Sequence, residues 1–326
     1  MVKPSWTLGC IAAGLFAALG RYPVSWLLSK RSSYAAPKIL RSADRYYIKC
    51  PSDNTMHVEL EGSENTQPLV LLHGLNSSSR QWYYQRLFLR KHFRLVIIDL
   101  PGHGWSPQPA DLSIPVLAAD LAAVLTHFQI FNPIIYGHSM GAMVAMQYCA
   151  DAHTPLVKSV ILQHASYTNP FQTTPFSPWT QLLQKPVLIP FFGFVKRHPL
   201  IFKIIGRLNY LNGLSILFYR FLFFAGRQTA DQLRFMCRIA ALNPPEVTAD
   251  GLLRCMEFDV TASLKTITVP ALVMGAAYDR IIKPDACKHI SRQVGHGHFT
   301  MINGGHQSIM EVPDEVNKAL IEFLIG

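Results

Sequence analysis

The chain has 326 residues, of which 49% are hydrophobic and only 15% are charged. This composition excludes a mostly disordered chain, and the length suffices for one large domain or two ordinary ones. The formal net charge of +10 is compatible with nucleic acid, with an anionic membrane surface or with no charged partner. Because the basic residues interleave with apolar clusters and no nucleic-acid motif is visible, we predict a membrane surface as partner and no nucleic acid.

Residues 1–44 are predicted to be an N-terminal membrane anchor, or a signal peptide, followed by a linker. Residues 6–20 form an apolar run of signal-peptide length, and residues 24–28 extend it toward the roughly 20 residues of a spanning helix. No convincing small-x-small cleavage site follows the run directly. We therefore expect an uncleaved transmembrane anchor and a membrane-associated protein. Cleavage, with a secreted or periplasmic location, is the alternative, and the side of the membrane is open.

From residue 45 onward, short apolar strands alternate with amphipathic helices. Strands are predicted over residues 45–50, 57–60, 69–72, 93–100, 133–136, 157–162, 271–275 and 298–302, and helices over 79–91, 114–128, 140–150, 285–293 and 313–325. Continuous apolar runs such as residues 69–72 are typical of buried parallel strands. The alternation predicts an α/β fold, a mostly parallel sheet flanked by helices.

The alternation stops between residues 166 and 251. This stretch contains proline-rich turns and segments that are both strongly apolar and basic, including eight phenylalanines between residues 191 and 224. We predict an insertion over residues 166–251, between two parts of one core at residues 45–165 and 252–326. The phenylalanines favour an acyl-chain pocket or contact with a bilayer, and ordinary packing of the insertion on the core is the alternative.

Residues 137–141 read Gly-His-Ser-Met-Gly and fit the GxSxG nucleophile elbow. The motif follows a predicted strand and opens a predicted helix, which is the context that it requires. Glycines two before and two after the serine remove side chains that would clash in the sharp turn, and the helix N-terminus adds positive potential. We predict Ser139 as a nucleophile, against the alternative of an ordinary turn.

A serine hydroxyl is a poor nucleophile until a base accepts its proton, so a histidine and an acid should follow along the chain. His306, after two glycines and the last predicted strand, is the predicted base. His296 and His298 are weaker candidates because they precede or begin that strand. Asp279, in the loop after residues 271–275, is predicted to orient the histidine, with Asp259 as the alternative.

Two backbone amides are predicted to form an oxyanion hole. One belongs to Met140, directly after the nucleophile, and the other to Leu75, in the loop after residues 69–72. His73, in the same loop, is interpreted as a structural hydrogen-bonding residue.

Several separate motifs resemble those of the α/β-hydrolase superfamily. They are HGL at 73–75, DLPGHGWS at 99–106, GHSMG at 137–141, Asp279 with Pro284 after it, and GGH at 304–306. The resemblance runs from about residue 45 to the end and is strongest to lipase- and esterase-like members. It implies that the insertion after the sixth strand, over residues 166–251, forms a helical cap over the site. Because dehalogenases and epoxide hydrolases of the superfamily have an aspartate as nucleophile, Ser139 argues against both.

The predicted function is hydrolysis of carboxylic esters, lipid esters first, by a membrane-associated serine hydrolase acting through an acyl-enzyme. Acyl transfer to another acceptor, thioester cleavage or carbon–carbon cleavage by the same triad are alternatives, as is a non-catalytic lipid-binding protein. We expect no cofactor and no metal. The six cysteines are scattered without a CxxC pair, so free and mostly buried thiols are predicted, with disulfides as the alternative in an oxidising compartment.

Overall fold

A single sheet organises the structure, a computed structural model that describes residues 4–151 and 156–325. Within these residues eight strands lie in the spatial order β1-β2-β4-β3-β5-β6-β7-β8. Strands β1 and β2 are antiparallel to their neighbours, and the strands from β4 to β8 in this order pair in parallel. The strands are β1 Asp44–Lys49, β2 Thr55–Glu61, β3 Pro68–Leu72, β4 Arg94–Asp99, β5 Ile134–His138, β6 Ser159–Gln163, β7 Pro270–Ala276 and β8 His296–Ile302.

Helices cover both faces of this sheet. Those of the core are α3 Tyr83–Leu89, α4 Ile114–His127, α5 Met140–Ala150, α13 Pro284–Gln293, α14 Ser308–Glu311 and α15 Pro313–Ile325. Strand β3 shows why the strands are apolar throughout: Val70 and Leu72 belong to the core on one face, whereas Leu69 and Leu71 belong to the core on the other. The predicted α/β class and mostly parallel sheet are confirmed.

Between β6 and β7 the described chain is entirely helical or irregular. The helices are α6 Pro170–Thr173, α7 Ser177–Leu183, α8 Ile189–Arg197, α9 Pro199–Asn212, α10 Leu214–Leu222, α11 Ala230–Leu242 and α12 Pro245–Glu257, with a π-helical turn at Gln184–Leu188. We refer to these helices as the cap. The boundary predicted at residue 251 lies inside α12, which continues to Glu257.

One core helix differs from its prediction. The helix predicted over residues 79–91 is a 3₁₀ turn, Ser79–Trp82, followed by α3. The backbone amide of Ser79 donates to a carboxylate oxygen of the buried Asp99 at 2.6 Å. This hydrogen bond holds Ser79 close to the end of β4, which favours the tighter 3₁₀ turn at the start of the helix.

The N-terminal segment forms two short helices, α1 Pro4–Leu19 and α2 Arg21–Leu27, instead of the single predicted anchor helix. Pro23 explains the interruption, because its ring would clash with the carbonyl of Leu19 in a continuous helix. Among the described residues no single helix has both the length and the hydropathy of a membrane span. Residues 9–19 and α2 pass that test only as a pair bent by 72°.

Candidate active site

The turn between β5 and α5 presents Ser139 in a sharp elbow. Its backbone has a φ of 54° and a ψ of −117°, in the left-handed half of conformational space. A Cβ atom on Gly137 would lie 2.3 Å from the carbonyl oxygen of Gly141, and one on Gly141 would lie 2.2 Å from that of Leu72. The amide of Ser139 donates to the carbonyl of Gln163 at 2.9 Å. The two glycines therefore allow the helix to start directly against the sheet.

The structure brings Ser139, His306 and Asp279 together, since each follows the carboxyl end of a parallel strand. Nε2 of His306 lies 3.0 Å from Oγ of Ser139, and Nδ1 lies 2.8 Å from Oδ2 of Asp279. The other oxygen of Asp279 accepts from the amides of Ile281 and Ile282 at 2.7 and 2.9 Å. A carboxylate at Nδ1 places the ring proton there, which leaves Nε2 to accept from the serine hydroxyl.

The alternative residues lie elsewhere. His296 and His298 belong to the amino-terminal half of β8, and β8 begins opposite Pro270, at the sheet edge away from Ser139. Asp259 accepts from the amide of Thr261 and from the hydroxyl of Thr168, so it stabilises a loop. His296, His298 and Asp259 therefore do not take part in the hydrogen bonds that join Ser139, His306 and Asp279.

His73 has a structural position. Its Nε2 accepts from the amide of Leu100 at 2.9 Å, and its Nδ1 faces the carbonyl of Gly74 at 2.8 Å. Both ring nitrogens are therefore occupied in holding the loop after β3 against the end of β4.

Leu75 and Met140, predicted to supply the oxyanion hole, both line a cavity that also includes Ser139. Gly74 allows this loop to lie directly against the elbow, because a Cβ atom on residue 74 would lie only 3.1 Å from Cβ of Ser139. Among the described residues no acceptor pairs with the amide of Leu75 or of Met140. Both N–H groups are thus available to an oxygen bound beside the serine.

Buried polar side chains that sequence reasoning missed surround the predicted triad. Nε2 of His138 lies 2.9 Å from the carbonyl oxygen of His306. His164 places Nδ1 3.8 Å from the carboxylate of Asp279 and Nε2 2.6 Å from Oγ of Ser308. His138 stands inside the elbow motif and His164 directly follows β6, but only the fold brings both rings beside His306.

Burial keeps several of these histidines neutral. Loss of solvation lowers the pKa of His73, His138 and His164, and it lowers that of His103 to about 3. In the unfolded chain a histidine has a pKa of about 6.5, so below that pH the unfolded state binds protons that the folded state does not. The stabilisation is complete above pH 6.5 and is lost as the pH falls toward the folded-state values.

We expect the free energy of unfolding to fall as the pH drops from 7.5 to 5.5, by up to about 1.4 kcal/mol per pH unit for each such histidine. Urea unfolding at several pH values measures this slope. His164→Gln should make the slope shallower by about one proton. A slope equal in wild type and His164→Gln would contradict the expectation.

The cavity at the serine has a volume of about 510 Å³ and lies between the sheet edge and the cap. Its cap-side wall is largely aromatic and aliphatic, with Phe171, Phe176, Phe192, Phe218, Leu222 and Phe223. Of the Asp, Glu, Lys and Arg residues in the described part of the chain, only Arg280 lines the cavity, and its guanidinium donates to the carbonyl of Phe221 at 2.5 Å. The amide of Gln307, next to His306, donates to Phe223, which ties the cap to the loop of the base.

The cysteines match the prediction of free thiols. All six are unpaired, and Cys50, Cys237, Cys255 and Cys287 are buried. Among the described residues no group of three or more histidine, cysteine or acidic side chains is arranged to hold a metal ion.

A mostly parallel sheet with a serine, a histidine and an aspartate at its carboxyl edge, under an inserted cap, defines the α/β-hydrolase class of enzymes. Residues 69–319 match the model of the alpha/beta hydrolase family. The chain therefore belongs to that family and is a hydrolase, as the resemblance in the sequence indicated.

Individual relatives are distant in sequence but cover most of the chain. The AB hydrolase superfamily protein YisY of Bacillus subtilis is 26% identical over 282 residues, covering 85% of this chain and 98% of that protein. A thermophilic esterase from Thermogutta terrifontis has a TM-score of 0.67 at 23% identity, covering 86% of this chain and 98% of its own. An enol-lactonase from Burkholderia xenovorans has a TM-score of 0.67 at 20% identity, covering 86% and 100%. The two structural likenesses support the fold.

Proposed function

We propose that the protein is a serine hydrolase that cleaves carboxylic esters with apolar acyl groups, lipid esters above all, at a membrane. The observation that carries this proposal is the hydrogen-bonded series from Asp279 through His306 to Ser139, which opens into an apolar cavity. The proposed nucleophile, base and orienting acid are thus already within hydrogen-bonding distance of one another.

The chemistry proceeds in two steps. Oγ of Ser139 attacks the ester carbonyl while Nε2 of His306 accepts its proton, and the amides of Leu75 and Met140 donate to the developing oxyanion. The imidazolium then gives the proton to the leaving alcohol, which departs as the acyl-enzyme forms. A water molecule repeats the attack, with His306 as base, and releases the carboxylic acid and the free serine.

The cavity supports an apolar acyl group as the specificity element. Its cap wall consists of phenylalanine and leucine side chains, and its volume lies in the range of small-molecule sites. Two solved structures of similar fold carry the names esterase and enol-lactonase, and both names denote acyl transfer to water. The N-terminal apolar helix and the basic cap supply the reason for placing the substrate in a membrane.

A chain-length series of p-nitrophenyl esters from acetate to laurate tests the proposed specificity. We expect kcat/KM to rise by up to about fourfold per methylene, since each buried CH₂ contributes about 0.8 kcal/mol, until the cavity is filled. Phe192→Ala, which removes a ring from the wall and enlarges the cavity, should shift the optimal acyl length toward longer chains. A series with acetate as the best substrate would contradict the proposed acyl specificity.

Two further measurements separate the alternative reactions. Matched thioesters and oxygen esters of one acyl group compare the thioesterase activity with the esterase activity. Addition of an acceptor alcohol shows whether the acyl group is transferred or hydrolysed. A protein without fluorophosphonate labelling and without turnover of any ester would be a non-catalytic binder, and the proposal would then be wrong.

A further inference from the structure

One helix of the cap leaves an apolar side exposed in the part of the chain that the structure describes. Helix α9, with the sequence PLIFKIIGRLNYLN, has no buried residue among its fourteen. Its exposed apolar side chains are Leu200, Ile201, Ile204, Ile205 and Leu208. Their spacing of one, three and four residues places them along one side of the helix. An apolar helix in this position calls for an apolar partner, since large exposed apolar patches mark interaction sites.

Neighbouring helices extend this surface. Helix α10 exposes Leu214, Phe218 and Phe221, and α1 is exposed at every position from residue 9 to residue 19. Helix α1 also contains no charged side chain. Both helices pack against α9. We call the exposed sides of α1, α9 and α10 the apolar face.

The N-terminal helices are attached to the cap closely enough to share one surface. A Cβ atom on Gly20, between α1 and α2, would lie 2.3 Å from the carbonyl oxygen of Asn212, at the end of α9. The hydroxyl of the buried Ser25 accepts from the guanidinium of Arg234 at 2.6 Å. The amide of Lys30 donates to the carbonyl of Gln228 at 2.9 Å. Residues 20–30 are therefore joined to helices α9 and α11 and to the segment between α10 and α11.

The charge of the chain is concentrated in the same segments. Of 30 basic and 20 acidic side chains, residues 1–43 carry six basic and no acidic ones, and residues 166–230 carry seven basic and no acidic ones. The rest of the chain thus has 17 basic and 20 acidic side chains and a slight negative charge. On α9, Lys203 and Arg207 are exposed and have no carboxylate partner among the described residues. The positive charge matches an anionic surface.

The apolar face also reaches the entrance of the cavity. Phe176 and Phe218 line the cavity and are nevertheless 47% and 54% exposed. Phe218 belongs to the apolar face itself. A ligand that leaves a lipid layer beneath this face would therefore meet the cavity without crossing water.

We infer that the apolar face docks onto the surface of an anionic phospholipid bilayer, with α1 lying in the interface beside α9 and the cavity entrance toward the lipid. The inference rests on the proposed function for its substrate, but the docking itself does not require catalysis. Helix α1 has sixteen residues, about 24 Å of helix, which is shorter than the roughly 30 Å hydrocarbon core. The apolar side chains enter the acyl boundary while the lysines and arginines contact the headgroups.

Flotation of the full chain with lipid vesicles tests the docking. We expect wild type to bind vesicles of phosphatidylcholine with about one third phosphatidylglycerol, more weakly at high salt and more weakly to pure phosphatidylcholine. Ile204→Asp with Leu208→Asp should reduce the partition coefficient by about tenfold or more. Lys203→Glu with Arg207→Glu should reduce binding to the anionic vesicles and have little effect on pure phosphatidylcholine.

Phe131→Asp is the matched control, because Phe131 is 78% exposed but lies just before β5, at the sheet edge opposite the serine. It should bind vesicles like wild type. All variants should hydrolyse a soluble butyrate ester at the wild-type rate, which shows that they fold. Equal partitioning of wild type and Ile204→Asp/Leu208→Asp would overturn the inference. The inference would also be overturned if wild type bound no vesicles and instead formed a dimer that Ile204→Asp/Leu208→Asp dissociates.

Ser139→Ala distinguishes the two proposals, because it should bind vesicles normally and hydrolyse nothing. Vesicle binding without any ester hydrolysis by wild type refutes the proposed ester hydrolysis and leaves the docking intact. Hydrolysis without binding refutes the docking, and with it the membrane as the place of reaction, and leaves the esterase activity intact. A nitroxide on Cys10, the exposed cysteine on α1, reports the depth of the helix. We expect about 5–10 Å below the headgroups, with no signal from Cys10→Ser; a depth at the bilayer centre would contradict the interfacial position.

Discussion

Ser139→Ala is expected to lower kcat/KM for every ester substrate by about 10⁶-fold and to abolish fluorophosphonate labelling. The hydroxyl is the proposed attacking group, and its Oγ lies 3.0 Å from Nε2 of His306, the proposed base. Rates with a soluble ester, together with labelling of the purified protein, measure the loss.

Ser166→Ala is the matched control for this experiment. Ser166 is also buried and also lines the cavity, but its hydroxyl bonds to Thr173 and to the carbonyl of Thr168. We expect a loss of less than about tenfold and full labelling, because this change removes a local hydrogen bond and leaves the nucleophile intact. Persistent labelling of Ser139→Ala, or equal losses in the two variants, would refute Ser139 as the nucleophile.

The elbow could be predicted from sequence because its requirements are local. Gly137 and Gly141 lie within two residues of Ser139, and each approaches backbone too closely for a side chain. The positions of Asp279 and His306 depended on a weaker rule, namely that both follow parallel strands and so reach the same sheet edge. The sheet was predictable for a similar reason, since strands buried on both faces are apolar throughout.

The supporting residues of the site were not predictable in the same way. His164 and Ser308 are 144 positions apart, and their hydrogen bond at 2.6 Å depends on where α14 begins relative to β6. No spacing rule connects such residues. An isolated histidine after a strand is equally compatible with an exposed loop, so its burial beside Asp279 emerges only from the folded core.

The N-terminal segment shows a different limit of sequence reasoning. An apolar run suits a spanning helix, a signal peptide or a helix attached to the protein surface, because hydropathy alone does not distinguish the three. The bend after Leu19 depends on Pro23 and on the contact between Gly20 and Asn212, and the latter is a tertiary contact. The predicted cap boundary at residue 251 falls within α12, which continues to Glu257.

Asp279→Asn is expected to lower kcat by about 10⁴-fold with little change in stability, because the substitution changes the histidine tautomer. Oδ1 of Asp279 accepts from the amides of Ile281 and Ile282, so an asparagine must keep its carbonyl oxygen there. Its NH₂ group then faces Nδ1 of His306, which can pair with it only as an acceptor. The ring proton consequently moves to Nε2, which faces Ser139 as a donor and cannot accept the hydroxyl proton.

Asp259→Asn is the control for this prediction, since Asp259 stabilises a loop through Thr168 and Thr261 and has no contact with the histidine. It should retain activity within a few-fold of wild type. Kinetics with a soluble ester and urea unfolding of both variants measure the two effects separately. If Asp279→Asn kept activity within about tenfold, the carboxylate would not be orienting His306. If it lost activity only together with stability, the role of Asp279 would be structural, and its assignment as the residue that orients His306 would be wrong.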